Sequence, residues 1–324
     1  MKPDGVRQHL ARFAGVRVAV IGDLVADHYL FGQTERVSRE APVLIVRHER
    51  DEVRLGGAAN VAANARALGA QVTAVGLLGR DDMGQAMRRL FRQHGIGVRA
   101  VDRDVTETKT RVLAGGVNTT RQQMLRIDRG GAEAPSLAQR GSLVRQVRAA
   151  VAAADVVVVS DYGAGVVNDE TRAVLREAAA EGTTVCVDSR FGLRDAVGFS
   201  VCKPNEPELA ALTGLPVGTD AQLTRAAALA LEMLQCHVLL VTRGRHGMAV
   251  FSRSAKPTFL PVWGQHDAVD VTGAGDTVSA AFAVALGAKT PASRAAFLAN
   301  VAGGLVVQKQ GTATVSLAEL RAAV

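Results

Sequence analysis

Aromatic side chains make up only 4% of this 324-residue chain, and there are three cysteines, Cys186, Cys202 and Cys236. Scarce aromatics leave few platforms for stacking nucleic-acid bases. Three cysteines without close spacing read as buried thiols, not as a disulfide framework or a zinc site. The seven histidines show no zinc-protease pairing. No apolar run approaches the ~20 residues that a membrane-spanning helix needs. The opening Met1-Lys2-Pro3-Asp4 lacks the apolar core of a secretory signal, so the expectation is a cytoplasmic protein. A polybasic run is missing too. The net charge of +7 is spread along the chain, which suits small anionic ligands better than nucleic acid.

What is present is a 48% hydrophobic chain whose patterning alternates between strand and helix. Strands are predicted at 16–21, 71–75, 156–160, 184–187 and 238–241. Helices are predicted at 58–68, 83–94, 137–153, 170–180, 207–212, 222–234 and 277–286, the last closed by Gly287. Such alternation predicts an α/β fold with a mostly parallel sheet covered on both faces. Ligands of such sheets gather beyond the carboxyl ends of the strands. Asp23, Asp161, Asp188 and Arg243-Gly244 all fall there. Two stretches, 29–54 and 108–127, carry short alternating β-formers instead, and predict either a separate small sheet or an edge extension of the main one.

The run Asp270-Val271-Thr272-Gly273-Ala274-Gly275-Asp276 leads straight into an apolar helix. Small residues at 273–275 allow backbone N–H groups to converge on an anion, and the helix N-terminus adds to that field. A carboxylate beside a trapped phosphate does not bind it. Asp276 is therefore a candidate to accept a proton from an attacking hydroxyl. The tripeptide Gly-Ala-Gly alone would read as a capped glycine turn.

This run resembles the hallmark of the ribokinase, or PfkB, family of carbohydrate kinases. Gly56-Gly57-Ala58-Ala59-Asn60-Val61-Ala62 and Gly76-Leu77-Leu78-Gly79-Arg80-Asp81-Asp82-Met83-Gly84 agree with it. The similarity extends from Gly22-Asp23 to Gly311-Thr312. It implies a ribokinase-like three-layer α/β/α sandwich as one kinase domain over 1–324, with the two β-rich stretches as a lid over the sugar. It also implies ATP and Mg2+ as cofactor and metal, with a monovalent cation in some relatives. Asn205 and Glu208 of Lys203-Pro204-Asn205-Glu206-Pro207-Glu208 would organise magnesium; as plain sequence they are a helix cap and its capping-box partner. Arg243, Gly244 and Gly247 would approach the nucleotide, and Asn300 and Gly303 would line the adenine pocket. Asp270 would hold a cation or fix the loop.

Within the family, the residues are most similar to kinases of D-glycero-β-D-manno-heptose 7-phosphate. Those carrying the likeness are Gly22-Asp23 with Asp27, Arg36-Val37-Ser38-Arg39-Glu40-Ala41-Pro42-Val43, and Thr110-Arg111-Val112-Leu113 with Gln122-Gln123 and Leu125-Arg126-Ile127-Asp128. The likeness implies sugar contacts from Asp23, Asp27, Gly56, Gly57, Asn60, Asn64 and Gln123. Lys109, Arg111 or Arg121 would meet a distal phosphate. The chain departs from the pattern at Asp161-Tyr162-Gly163-Ala164-Gly165, where Asp-Tyr-Ala-Lys-Gly is expected, and at Asp188-Ser189-Arg190, where Asp-Pro-Lys is expected. Many such kinases carry a second, nucleotide-transferring domain marked by His-x-Gly-His. That motif does not occur here, so the kinase alone is expected. The apolar run Val43-Leu44-Ile45-Val46 predicts a homodimer joined through the lids. Another sugar substrate, or a sensor that lost turnover, is the alternative reading.

Overall fold

The computed structural model describes residues 4–116, 121–130, 133–264 and 268–324. Residues 117–120 of the second β-rich stretch therefore lie outside the described residues. In chain order the elements are α1 (Asp4–Leu10), β1 (Arg17–Gly22), β2 (Leu24–Val37), β3 (Leu44–Gly57), α2 (Ala58–Ala67), β4 (Gln71–Gly79), α3 (Asp82–Gln93), β5 (Gly97–Arg103), β6 (Thr108–Gly115) and β7 (Gln122–Arg129). Then come α4 (Leu137–Val151), β8 (Val156–Asp161), α5 (Asp169–Ala180), β9 (Thr184–Ser189), β10 (Val201–Cys202), α6 (Glu206–Thr213), α7 (Asp220–Leu234), β11 (Val238–Thr242), β12 (Met248–Ser252), β13 (Ala255–Leu260), α8 (Ala274–Gly287), α9 (Ala292–Val306) and α10 (Leu317–Ala323).

Among the described residues the strands form two sheets, of nine and four strands. The large sheet runs β13-β12-β11-β10-β9-β8-β1-β4-β5. It is parallel from β5 to β11, and β12 and β13 close it as an antiparallel hairpin. Its central strands are continuous apolar runs, such as Val156-Val157-Val158-Val159, as burial on both faces demands. Along β1 the side chains alternate between two cores. Val18 and Val20 pack with α2, α8, α9 and α10, whereas Ala19 and Ile21 pack with α4, α5, α6 and α7. These two cores define the three layers of the expected α/β/α sandwich.

The small sheet, ordered β3-β2-β6-β7, is separate from the large one, which decides against an edge extension. It starts earlier than the pattern suggested. Gly56 and Gly57 are the last residues of β3, paired with Val25 and Leu24 of β2, and not a loop. The three cysteines are buried free thiols.

One predicted helix stop is corrected. Gly287 is the last residue of α8 and does not take a positive φ, and the turn is made by Ala288 and by Lys289 at φ 59. A Cβ on Gly287 would fall 2.5 Å from Val16 Cγ1. This glycine therefore serves the close approach of α8 to the sheet. No helix among the described residues is long and apolar enough to cross a membrane.

Candidate active site

Gly273 opens α8 in the left-handed region at φ 78 and supplies no side-chain cap. The Ala274 N–H turns back to Val271 O, so the predicted convergence of N–H groups begins after it. Asp270 fixes the run from outside: Oδ1 accepts from the Thr272 N–H at 2.9 Å and Oδ2 from the Gly311 N–H at 2.9 Å. Burial alone would raise its pKa, but these hydrogen bonds outweigh burial and hold it below the usual carboxylate value. Both oxygens serve the loop, the second of the two roles open for this residue.

Asp276 follows within the first turn of α8 and is buried. Its Oδ2 accepts from Asn60 Nδ2 and its Oδ1 from the Tyr162 hydroxyl, each at 2.9 Å. Desolvation pushes its pKa up to about 7, reinforced by the charge of Asp188 and opposed by the Asn60 and Tyr162 hydrogen bonds and the charge of Lys203. A carboxyl group balanced near neutrality is what proton transfer requires. Lys203 stands at the same helix end, its Nζ 3.7 Å from where a Cβ on Gly275 would be. It is held by Asp188 Oδ2 at 2.9 Å, which also accepts from the Ser279 hydroxyl at 2.7 Å. A cation and an uncapped helix N-terminus together favour an anion there.

Gly56 and Gly57 bring the sheet junction close to these groups. A Cβ on Gly56 would fall 2.4 Å from Asp27 Oδ2, and one on Gly57 2.7 Å from Asp23 O. Asp27 is buried and paired with Arg111 Nη1. Asn60, from the first turn of α2, reaches Asp276. Asn64, one turn later, is wholly buried: its Nδ2 donates to Asn60 Oδ1 at 3.1 Å, and its Oδ1 accepts from Thr277 at 3.1 Å. That geometry makes Asn64 a support for Asn60, not a surface for ligand.

Asp23 likewise turns inward. Its carboxylate accepts backbone N–H bonds from Tyr162 at 2.7 Å, Ala164 at 3.1 Å and Val166 at 3.4 Å. Burial lifts its pKa to about 6 against the pull of these bonds. Lys109 of β6 is half-buried, with Nζ 4.6 Å from the Tyr162 ring centre. Desolvation, first among the causes, lowers its pKa. Gln123 and Arg121 are exposed, and Arg121 pairs with Glu49 at 2.5 Å.

On the other half, Asn205 and Glu208 form a full capping box at α6. The Glu208 N–H donates to Asn205 Oδ1 at 2.8 Å, and the Asn205 N–H donates to Glu208 Oε2 at 2.9 Å. Glu208 keeps Oε1 without a hydrogen-bond partner among the described residues, and burial raises its pKa. Arg243 is bound to Glu206 at 2.8 Å and Asp220 at 2.9 Å, so its guanidinium holds α6 and α7 to the end of β11. Gly247, at φ 83, passes so close to the end of β13 that a Cβ would lie 2.1 Å from Leu260 O. Gly244 also takes positive φ, at 52. Asn300 Nδ2 donates to Pro261 O at 2.7 Å, and a Cβ on Gly303 would stand 3.0 Å from Val278 Cγ2. These two shape the wall between α8, α9 and the end of β13.

Sequence reasoning assigned no role to Tyr162, Tyr29 or Arg54. The Tyr29 hydroxyl accepts from the Thr312 N–H at 3.1 Å, and Arg54 donates to Gln310 O at 2.6 Å. They tie the small sheet to the loop that also receives Asp270. The available signal was that Tyr29 and Tyr162 are the chain's two tyrosines.

The family and the fold are those of known proteins. Residues 16–319 match the family model described as pfkB family carbohydrate kinase. The chain is 40% identical to the bifunctional protein HldE of Caulobacter vibrioides over 329 residues, covering 98% of this chain and 66% of that protein. It is 42% identical to the bifunctional protein HldE of Azorhizobium caulinodans over 312 residues, covering 94% and 64%. It thus spans just under two thirds of the length of these relatives. In fold it is similar to Arabidopsis thaliana ribokinase complexed with ribose and ATP, at a TM-score of 0.72, 23% identity and coverage of 95% and 98%. It is also similar to Escherichia coli phosphofructokinase-2 in complex with substrates and products, at a TM-score of 0.77, 18% identity and coverage of 95% and 97%.

Proposed function

From the premise that the chain belongs to the PfkB family of carbohydrate kinases, we propose that it transfers the γ-phosphoryl group of ATP to O1 of D-glycero-β-D-manno-heptose 7-phosphate, as a cytoplasmic kinase on the route to ADP-heptose and lipopolysaccharide. Asp276 takes the proton of the anomeric hydroxyl as the new O–P bond forms and the bond to ADP breaks. The helix end at 274–276, with Lys203 beside it, stabilises the charge on the transferring group. The C1–O1 bond is not cut, so the β-anomer is retained in the 1,7-bisphosphate.

The observation that carries the acceptor's class is Lys109. It is half-buried above Tyr162, has no ion-pair partner among the described residues, and lies one aromatic ring away from the hydroxyl that meets Asp276. A desolvated cation there suits an acceptor that already bears a phosphate. Arg111, engaged by Asp27, stands next to it on the same strand. Resemblance in the sugar-side residues supports the heptose among phosphorylated sugars. A sugar of another shape is the second reading.

Magnesium fits the donors present. The described residues hold no cluster of three metal-binding side chains, and Mg2+ keeps most of its water while taking one or two hard oxygens. Glu208 Oε1 would supply one, with Asn205 beside it. The ion would offset phosphate charge when bound.

A side-by-side ADP-release assay with heptose 7-phosphate, unphosphorylated heptose, fructose 6-phosphate and ribose tests the proposal. Heptose 7-phosphate is expected to be used far better than the rest: free heptose and ribose lack a phosphate and strand the positive groups, and fructose 6-phosphate has another shape. A preference for ribose, fructose 6-phosphate or the free heptose would overturn the substrate and leave the family standing.

A further inference from the structure

Resting on that kinase reading, we propose that Tyr162 is a positioning residue for Asp276. Its phenol donates to Oδ1 while Asn60 donates to Oδ2, and the pair holds the carboxylate in one orientation toward the acceptor hydroxyl. The two bonds are equal in length, 2.9 Å, and come from different elements: Asn60 from α2, Tyr162 from the turn after β8.

The turn is built to hold that phenol still. Asp23 receives three of its backbone N–H groups. Asp161 accepts from the Gly163 N–H at 3.0 Å and from the Ser189 hydroxyl at 2.7 Å. Gly163 and Gly165 take φ of 84 and 91, and a Cβ on Gly165 would fall 2.6 Å from Pro135 Cδ. Two acidic side chains and two left-handed glycines therefore fix a five-residue stretch whose one long side chain points at Asp276. The Asp23 expected to contact sugar is, in this account, the anchor of that stretch.

The charged surroundings decide what the phenol does. Asp188 of β9 and Lys203, just past β10, act on Asp276; Asp27 and Asp188 act on Tyr162, and Lys109 of β6 covers its ring. The charge of Asp276, then burial, keeps the phenol well above its ordinary pKa. It therefore stays a donor throughout and keeps its own proton. The acceptor's proton goes to Asp276. A donor to a carboxylate favours the ionised form, so the phenol works against the desolvation that would protonate the base.

The test is Tyr162→Phe, with Asp276 titrated by carboxyl 13C NMR in the substrate-free protein and turnover followed against pH. Loss of the donor is expected to raise the Asp276 midpoint by about half a unit or more. Turnover is expected to fall about two- to fivefold near neutrality, as the ionised fraction of the base falls, and to recover toward wild type at about pH 9, with the Michaelis constant for ATP unchanged. An unmoved midpoint, or a loss equal at every pH, would overturn the proposal. The NMR titration needs no acceptor, so it decides even if heptose 7-phosphate proves the wrong substrate. Should Tyr162→Phe not fold, 3-fluorotyrosine at position 162 donates more strongly and is expected to lower the midpoint. A midpoint that stays or rises would overturn the proposal equally.

Discussion

Asn60 and Asp276, separated by 216 residues in the chain, meet at 2.9 Å in the buried interior of the site. Their contact fixes α2 against α8 and sets one oxygen of the carboxylate. Gly273 makes room for it, since a Cβ there would stand 2.6 Å from Asn60 Nδ2.

Gly273→Ala is therefore expected to damage the site in two ways. It places a side chain at a left-handed φ of 78, a strain of about 1–2 kcal/mol, and it pushes Asn60 from Asp276. Thermal unfolding should show a modest loss of stability, and turnover should fall by more than tenfold, on the order expected when a base is misplaced. Full activity in a stable variant would contradict this reading of the Asn60 contact.

The pKa of Asp276 is raised in the folded protein, to about 7. The folded state then binds a proton that the unfolded state has lost, so this group's contribution to stability falls as pH rises from the ordinary carboxylate range through about 7. Asp276→Asn removes the buried charge. Its melting temperature relative to wild type is expected to improve between pH 5 and pH 8, measured by calorimetry in matched buffers at about constant ionic strength. A difference that does not change with pH would show that the carboxyl group is not perturbed.

Glu208→Gln keeps an oxygen for the Asn205 N–H, so the capping box and the fold should survive with little change in melting temperature. The magnesium concentration at half-maximal rate is expected to rise severalfold, with the Michaelis constant for sugar unchanged. An unchanged magnesium titration would reduce Glu208 to its cap.

The small sheet exposes Val37, Val43 and Leu44 on β2, its turn and β3, together with Leu125 and Ile127 on β7, each about half open to solvent. Apolar side chains in such numbers on sheet edges favour a covered state. The expected state is a homodimer at micromolar concentration by light scattering, shifted to monomer by Leu125→Glu with Ile127→Lys. A wild-type monomer would reject the lid-to-lid assembly.

The layers and the glycine turn that opens α8 were legible because they rest on local signals. Valine runs mark buried strands, and Gly273-Ala274-Gly275-Asp276 pairs a turn with a helix start. Asn205 and Glu208 were readable as a cap for the same reason. Contacts between distant segments were not legible. Nothing in the sequence says that Asp23 receives the N–H groups of residues 162, 164 and 166, or that Arg243 is engaged by Glu206 and Asp220. Gly287 misled because glycine ends helices by its freedom and also lines them by its size, and only the position of Val16 decides which.

The central claim is that Asp276 is the base of a phosphoryl transfer. It is tested most directly by Asp276→Asn, with ATP and sugar-phosphate binding measured by calorimetry beside turnover. Binding of both ligands is expected to stay within about threefold of wild type while turnover drops by about two to four orders of magnitude, the cost of removing a general base. Turnover near the wild-type value with both ligands bound would contradict the account.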